Sequence, residues 1–325
     1  MLPFSAQAKS RLDPFPNNRV LAGEFLNLRQ LLRRRLPRTI LIVLILLLLQ
    51  GGCVPVSQLT ARTASGLAGH VAASAAEPRR FEIGRSVAGL PVEAYRFGRG
   101  PVRLVLVGGI HGGYEWNTIL LAYAVIDYYR VHAAELPAPI TLDIVPVANP
   151  DGQLLATGKT GRFAPADITG GSVDTINGRF NRNGVDLNRN WDCDWMPAAY
   201  WRGRQVSGGT APFSEAETTA LRRFLSAPTP GGVIFWHSAA GGVFAGGCDV
   251  RFAGADALAT VFAHGSGYPF RTSFESYLVT GDAADWLSLQ EVPAIAVELY
   301  NHEDTDMAQN LSGIRAVLTY LGAFQ

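Results

Sequence analysis

His111 and Glu115 stand four positions apart, just after the apolar run of residues 102–107, with Gly108, Gly109, Gly112 and Gly113 around them. A neutral imidazole and a carboxylate are good ligands for a divalent metal, zinc above all. A strand end followed by a helix start can aim both inward while glycines keep the backbone clear. Such a pair is common by chance, so its weight comes from what stands later in the chain. His237 follows the apolar run Gly232-Val233-Ile234-Phe235-Trp236, and Glu298 follows Ala294-Ile295-Ala296-Val297. Three groups at strand ends is the arrangement by which α/β sheets gather ligands. Two histidines and a carboxylate leave zinc an open coordination position that can hold a water and lower its pKa toward about 7. A further carboxylate outside that shell can take the proton, and Glu298, ending an otherwise apolar strand, suits this general-base role.

The elements that must position these residues follow from periodicity. Residues 102–107, 141–147, 232–236 and 294–297 are largely apolar, as strands buried on both faces are. Residues 81–97 alternate weakly around Ala88-Gly89-Leu90-Pro91 and read as two strands joined by a turn. Helices are predicted over 117–132, from 212 onward with Ser214 and Glu217 spaced as a capping box, and over 308–324. Asn149-Pro150-Asp151-Gly152 is a turn signal, and residues 153–182 form a long stretch with little periodicity. Strands separated by helices indicate an α/β sheet covered on both faces, and no repeat period is visible.

Length and composition agree with that reading. The 325 residues are 48% hydrophobic and 17% charged, enough for one large α/β domain with a substantial core. Up to Cys53, eight Lys/Arg against Asp13 and Glu24 leave +6; with +1 overall, the remainder carries −5. A mildly acidic body implies no nucleic-acid surface. The basic cluster at 33–38, the apolar run at 40–49 and Gln50-Gly51-Gly52-Cys53 form a secretory pattern. It is read either as a lipoprotein signal, with Cys53 the lipidated residue, or as an uncleaved membrane anchor. Residues 54–80, rich in Ala, Ser, Thr and Gly, suit a flexible tether, leaving 81–325 as the exported folded domain. Cys193 and Cys248 would then meet oxidising conditions, where a disulfide and a free Cys193 thiol are both open.

Singly, each candidate has an ordinary explanation: His237 as a hydrogen-bonded core residue, Glu298 as an ion-pair partner of Arg189, Tyr277 as packing. Their joint occurrence in order outweighs these. Residues 81–325 resemble the zinc carboxypeptidase family, including its bacterial members that trim cell-wall peptides. The most specific portion is Gly184-Val185-Asp186-Leu187-Asn188-Arg189-Asn190-Trp191; the turn at 149–152, Phe213-Ser214-Glu215, His237-Ser238 and Glu298-Leu299 follow in the family order. The resemblance implies a single domain with a mixed, mostly parallel central sheet and one zinc per chain. His111, Glu115 and His237 would ligate it and Glu298 would activate water. Arg179 would stabilise the oxyanion, with Arg182 the alternative. Asn188 and Arg189 would grip the C-terminal carboxylate of a peptide, Tyr277 would close over it, and Asp186 would orient His111.

One departure stands out: the family places its glutamate three residues after the first histidine, whereas Tyr114 makes the separation four here, an extra residue that Gly112 and Gly113 can absorb as a bulge. The function implied is an exported zinc metallopeptidase acting near free C-termini, with cell-wall peptides a candidate substrate. The alternatives are a zinc N-acyl amino acid deacylase and a non-catalytic peptide- or peptidoglycan-binding relative. Ala284 would sit at the base of the side-chain pocket, with Asp282 nearby to meet a basic or diaminopimelate amine.

Overall fold

A computed structural model of the chain describes residues 77–168, 172–272, 274 and 276–323. The strands are β1 (Arg79–Arg85), β2 (Pro91–Gly98), β3 (Val102–Val107), β4 (Ile140–Val145), β5 (Ala198–Trp201), β6 (Arg204–Ser207), β7 (Gly232–Ser238), β8 (Gly242–Ala245), β9 (Phe270–Arg271) and β10 (Ala294–Leu299). The helices are α1 (Trp116–Val131), α2 (Pro150–Thr157), α3 (Ser172–Asn177), α4 (Ala216–Ser226), α5 (Ala253–Ser266), α6 (Ala283–Leu289) and α7 (Met307–Gly322).

The four largely apolar runs lie side by side as the parallel centre of an eight-stranded sheet, in the order β1-β2-β4-β3-β7-β10-β8-β9. Antiparallel strands flank them: β2 against β4 on one side and β8 against β10 on the other. The sheet is thus mixed and mostly parallel at its core. Successive side chains of a strand point to opposite faces, and β3 shows the result. Leu104 and Leu106 enter the core beneath α1, α5 and α7, while Val105 and Val107 enter the core shared with α4, α6 and Trp191. Two charges interrupt the apolar centre and neutralise each other. Buried Asp143 on β4 accepts from Arg103 on β3 (2.6 Å) and from Arg96 on β2 (2.7 Å).

Several elements differ from the sequence expectations. The Asn149 turn is the start of a helix: its Oδ1 accepts from Gly152 N (2.9 Å), Pro150 takes the first helical position, and α2 runs on to Thr157. The aperiodic stretch therefore contains α2 and α3. The Ser214–Glu217 capping box does not form, because α4 begins at Ala216 and both side chains are engaged elsewhere. Ser214 Oγ donates to Glu215, and Glu217 Oε1 accepts from Val87 N in the β1–β2 turn. Asn190 ties the start of α4 down instead, its Oδ1 accepting from Glu215 N and Thr218 Oγ1. Helices α5 and α6 and the β5–β6 hairpin had no sequence counterpart. Arg79 and Arg80, read as tether, already belong to β1. The basic segment, the apolar run, Cys53 and the tether up to residue 76 lie outside the described residues. Among the described residues no helix is long and apolar enough to cross a membrane.

Candidate active site

The parallel strands β3, β7 and β10 all end on one edge of the sheet. Pairing of Glu298 with His237 in the β10–β7 register puts these two side by side. β3 releases the chain into a glycine turn that carries His111, and α1 begins immediately after Glu115. Gly112 is held at φ +41°, and a Cβ there would meet Gly178 O at 2.6 Å and Gly152 Cα at 2.9 Å. Only glycine serves at such a position. Gly113 N donates to Gly178 O (3.0 Å), so the turn is pinned to the segment that carries Arg179. This turn accommodates Tyr114 while Glu115 still faces His111.

His111, Glu115 and His237 are all buried, and each offers a donor atom within 4.8 Å of the others. His111 Nδ1 lies 2.8 Å from Glu115 Oε1, and His237 Nδ1 lies 3.2 Å from Oε2 and 3.3 Å from His111 Nδ1. Two imidazole nitrogens turned on each other beside a carboxylate are a set that a divalent cation completes, and its composition suits zinc. Burial alone pushes the Glu115 carboxyl up, but His111 and His237 outweigh it and hold the group well below its ordinary value. Burial works against a charged His237, yet Glu115 and then Glu298 raise it.

Asp186 stands behind this cluster. One oxygen lies 3.2 Å from His111 Nε2, and the other accepts from Arg179 Nε (2.9 Å). Fully buried, Asp186 is kept ionised chiefly by Arg179 and then His111, against the effect of burial. Arg179 also reaches to 3.7 Å from Glu115 and lies over the Trp201 ring at 4.6 Å. Asn149 Nδ2 donates to Arg179 O, so the cap of α2 helps to place this arginine. Arg182, the alternative candidate, does not line the cleft. Glu298 does, and it accepts from Ala240 N (3.2 Å). Burial, countered in part by His237, pushes its carboxyl up to about 7.

These groups open into a cleft of about 1350 Å³ that also takes in Asn188, Arg189 and Tyr277. Arg189 is buried, donates to Asn188 O through Nη1, and leaves Nε without a partner among the described residues. Its guanidinium carbon lies 5.9 Å from the Tyr277 ring centre. A fork of this kind, charged and only partly engaged, matches a carboxylate. Asp282 is committed on both oxygens: Oδ1 caps α6 through Ala284 N and Asp285 N, and Oδ2 accepts from Asn188 Nδ2 (2.6 Å). The acid in the pocket without such a load is Asp285, which accepts from Gly247 N and which burial, then Asp282, pushes up to about 7. Cys193 and Cys248 form a disulfide that ties the end of the Asn188–Arg189 segment to the loop bearing Gly247.

His302, left without a role by its sequence, also lines the cleft. Its Nδ1 lies 2.9 Å from Ser238 Oγ, one residue past His237, and its ring packs against Tyr114 with centroids 4.7 Å apart. Tyr114 in turn meets Trp201 edge-on at 5.0 Å. Only an isolated histidine after Glu298 was visible in the sequence, and no motif marks it.

The comparisons with known proteins agree with this geometry. Among solved structures, bovine thrombin-activatable fibrinolysis inhibitor, in complex with tick carboxypeptidase inhibitor, is similar at a TM-score of 0.64 and 19% identity, over 77% of this chain and 92% of that one. Carboxypeptidase A from Helicoverpa armigera gives 0.59 and 19%, over 76% and 69%. The murein-tripeptide amidase MpaA from Escherichia coli O157 gives 0.54 and 22%, over 76% and 93%. A search of curated proteins gave no match. The sequence profile described as zinc carboxypeptidase matches residues 71–245, more than half of the chain. That stretch runs through His111, Glu115, Asn188, Arg189 and His237, and so the chain belongs to the zinc carboxypeptidase family, a zinc metallopeptidase by that membership.

Proposed function

We propose that this protein is exported and hydrolyses peptide bonds near a free C-terminus, with cell-wall peptides as its substrate class. His111, Glu115 and His237 hold the zinc. When bound there, zinc supplies a Lewis acid and an acidified water. The chain's own residues do the rest. Arg189 and Asn188 take the substrate's terminal carboxylate, which sets the distance from that end to the bond that breaks. Arg179, fixed by Asp186, donates to the carbonyl oxygen as it gains charge. Glu298 removes the proton of the attacking water and returns it to the leaving amine, and Tyr277 covers the cleft.

The observation that carries this reading is the meeting, in one cleft, of a His-Glu-His cluster, a raised carboxyl at Glu298 and a partly engaged buried arginine. Export is supported by the N-terminal secretory pattern and by the disulfide, which suits an oxidising compartment. The cell-wall class is supported by the likeness to the murein-tripeptide amidase. The test is metal content and turnover together. Purified protein is expected to carry about one zinc per chain, lost in His237→Ala, and to cleave murein peptides but not N-acyl amino acids. Zinc in the His237→Ala protein, or a preference for acyl amino acids, would overturn the assignment. For the anchor, Cys53→Ser is expected to move the protein from membrane to soluble fractions if Cys53 is lipidated, and to leave it at the membrane if the apolar run is an uncleaved anchor.

A further inference from the structure

The cleft contains a group whose hydrogen-bonding sense is fixed by a chain of partners leading away from the metal cluster. Asn117 Nδ2 donates to two carbonyls, Asn301 O (2.8 Å) and Asp304 O (2.9 Å), which fixes the orientation of its amide and leaves Oδ1 as an acceptor. Ser238 Oγ lies 3.0 Å from that Oδ1 and must donate to it. The serine oxygen then accepts from His302 Nδ1 at 2.9 Å, so the proton of the neutral imidazole is on Nδ1. Its Nε2 is therefore an acceptor, with no partner among the described residues, and it is not among the buried polar atoms lacking one. His302 lines the cleft, where this nitrogen can be met by a bound peptide.

The ring cannot readily turn away. Tyr114 packs on it, Tyr114 is braced by Trp201, and Arg202 of the β5–β6 turn donates to the Tyr114 hydroxyl at 3.4 Å. This shelf adjoins the metal cluster through the chain itself: Tyr114 precedes Glu115, and Ser238 follows His237. A peptide whose carboxylate is held by Arg189 and whose scissile carbonyl reaches His111, Glu115 and His237 must continue past the cluster with its preceding residue. Of the wall there, Arg202 and Arg179 can only donate, whereas a peptide backbone also presents N–H groups that need an acceptor.

We infer that Tyr114, Trp201 and His302 form a subsite for the residue that supplies the scissile carbonyl, and that His302 Nε2 accepts the backbone N–H of that residue. The inference rests on the reading of this cleft as a peptide site. Tyr114, the residue that lengthens the spacing between His111 and Glu115, thereby acquires a role as the support of the shelf.

The experiment measures binding, so it does not depend on turnover. Full-length, zinc-loaded protein carrying Glu298→Gln is titrated with a blocked tripeptide and with the same peptide N-methylated at the amide nitrogen of the middle residue. Methylation is expected to weaken binding about tenfold, the scale of a lost hydrogen bond at a desolvated acceptor. Added His302→Asn keeps an amide near the Nδ1 position to meet Ser238 but removes the outer acceptor; the penalty is expected to fall below about twofold. His302→Gln, which puts an amide oxygen near the Nε2 position, is expected to retain it. An undiminished penalty in the His302→Asn protein, no penalty in the parent, or no binding of either peptide overturns the subsite. The parent's methylation penalty needs no substitution at His302, so its absence overturns the subsite even if a variant fails to fold. Failure of the unsubstituted protein to cleave any peptide, with the binding pattern intact, would instead count against the proposed hydrolysis.

Discussion

In the proposed mechanism Glu298 is the residue on which the chemistry turns. Glu298→Gln preserves its shape and the contact with Ala240 N while removing the base. It is expected to keep zinc and to lose about 10²–10⁴ in kcat, with KM little changed; a loss under tenfold in stopped assays would remove Glu298 from that role. Burial pushes its carboxyl up to about 7, so the basic form is gained as pH rises. The pH profile of kcat/KM should therefore show an acid limb at or below about 7, absent from the residual activity of Glu298→Gln. The His-Glu-His cluster and the cleft-lining Asn188 and Arg189 were legible because they sit at the ends of apolar runs or in a contiguous motif. His302 was not, because its meaning depends on Asn117 and Ser238, far apart in sequence and joined only by the fold. Asp282 shows the opposite limit: charge and position suggested a contact with substrate, but one oxygen caps a helix and the other holds Asn188.

Between residues and the whole molecule, the glycine turn before α1 and the disulfide decide whether the site assembles. Gly112→Ala puts a Cβ at left-handed φ and against Gly178 O. It is expected to cost at least about 1–2 kcal/mol from the backbone alone and to lower zinc affinity, measurable by thermal unfolding and metal titration. Unchanged zinc binding in that variant would mean that the turn does not set the position of His111. Cys193 and Cys248 close a loop of 55 residues, so replacing both by Ser is expected to destabilise the domain by about 4 kcal/mol in denaturant. The same change should raise KM, because both walls of the proposed carboxylate pocket are attached to it. Strands β3, β4, β7 and β10 were readable since full burial leaves a largely apolar run, broken chiefly by the Arg103–Asp143 pair and by His237 and Glu298 at the strand ends. The helix after Asn149 was not, because Asn-Pro-Asp-Gly serves equally as a turn and as a capped helix start, and only its packing in the fold selects between them. The β5–β6 hairpin carries little apolar alternation of its own, and its Trp201 is buried by Arg179 and Tyr114, contacts that its local sequence does not announce.

Over the whole molecule, the buried carboxyls pull stability in two directions with pH. Glu217, Asp285 and Glu298 are raised, to about 6, 7 and 7, chiefly by burial. A raised carboxyl binds its proton more tightly in the folded state, so its contribution is full below the unfolded value and is lost as pH rises through the folded one. For fully buried Glu217 that loss is roughly 2 kcal/mol by pH 8. Glu115 and Asp186 are depressed, so theirs is present above the unfolded value and lost as pH falls through the folded one. The zinc-free protein is thus expected to show its highest urea midpoint near the unfolded carboxyl values, about pH 4–5, and a decline toward about pH 7 that is less steep in Glu217→Gln. A midpoint that climbs steadily from about pH 5 to 7 would contradict this balance. The sheet itself ends in strands unfit to receive another. β1 carries Arg79, Arg80 and Arg85 and is broken in register between Glu82 and Gly84, while β9 is only two residues long. Charge, irregularity and brevity are the means by which exposed edges resist pairing. Among the described residues neither end of this sheet suits an extended peptide as a further strand, which favours recognition end-on, by its terminus and the few residues behind it.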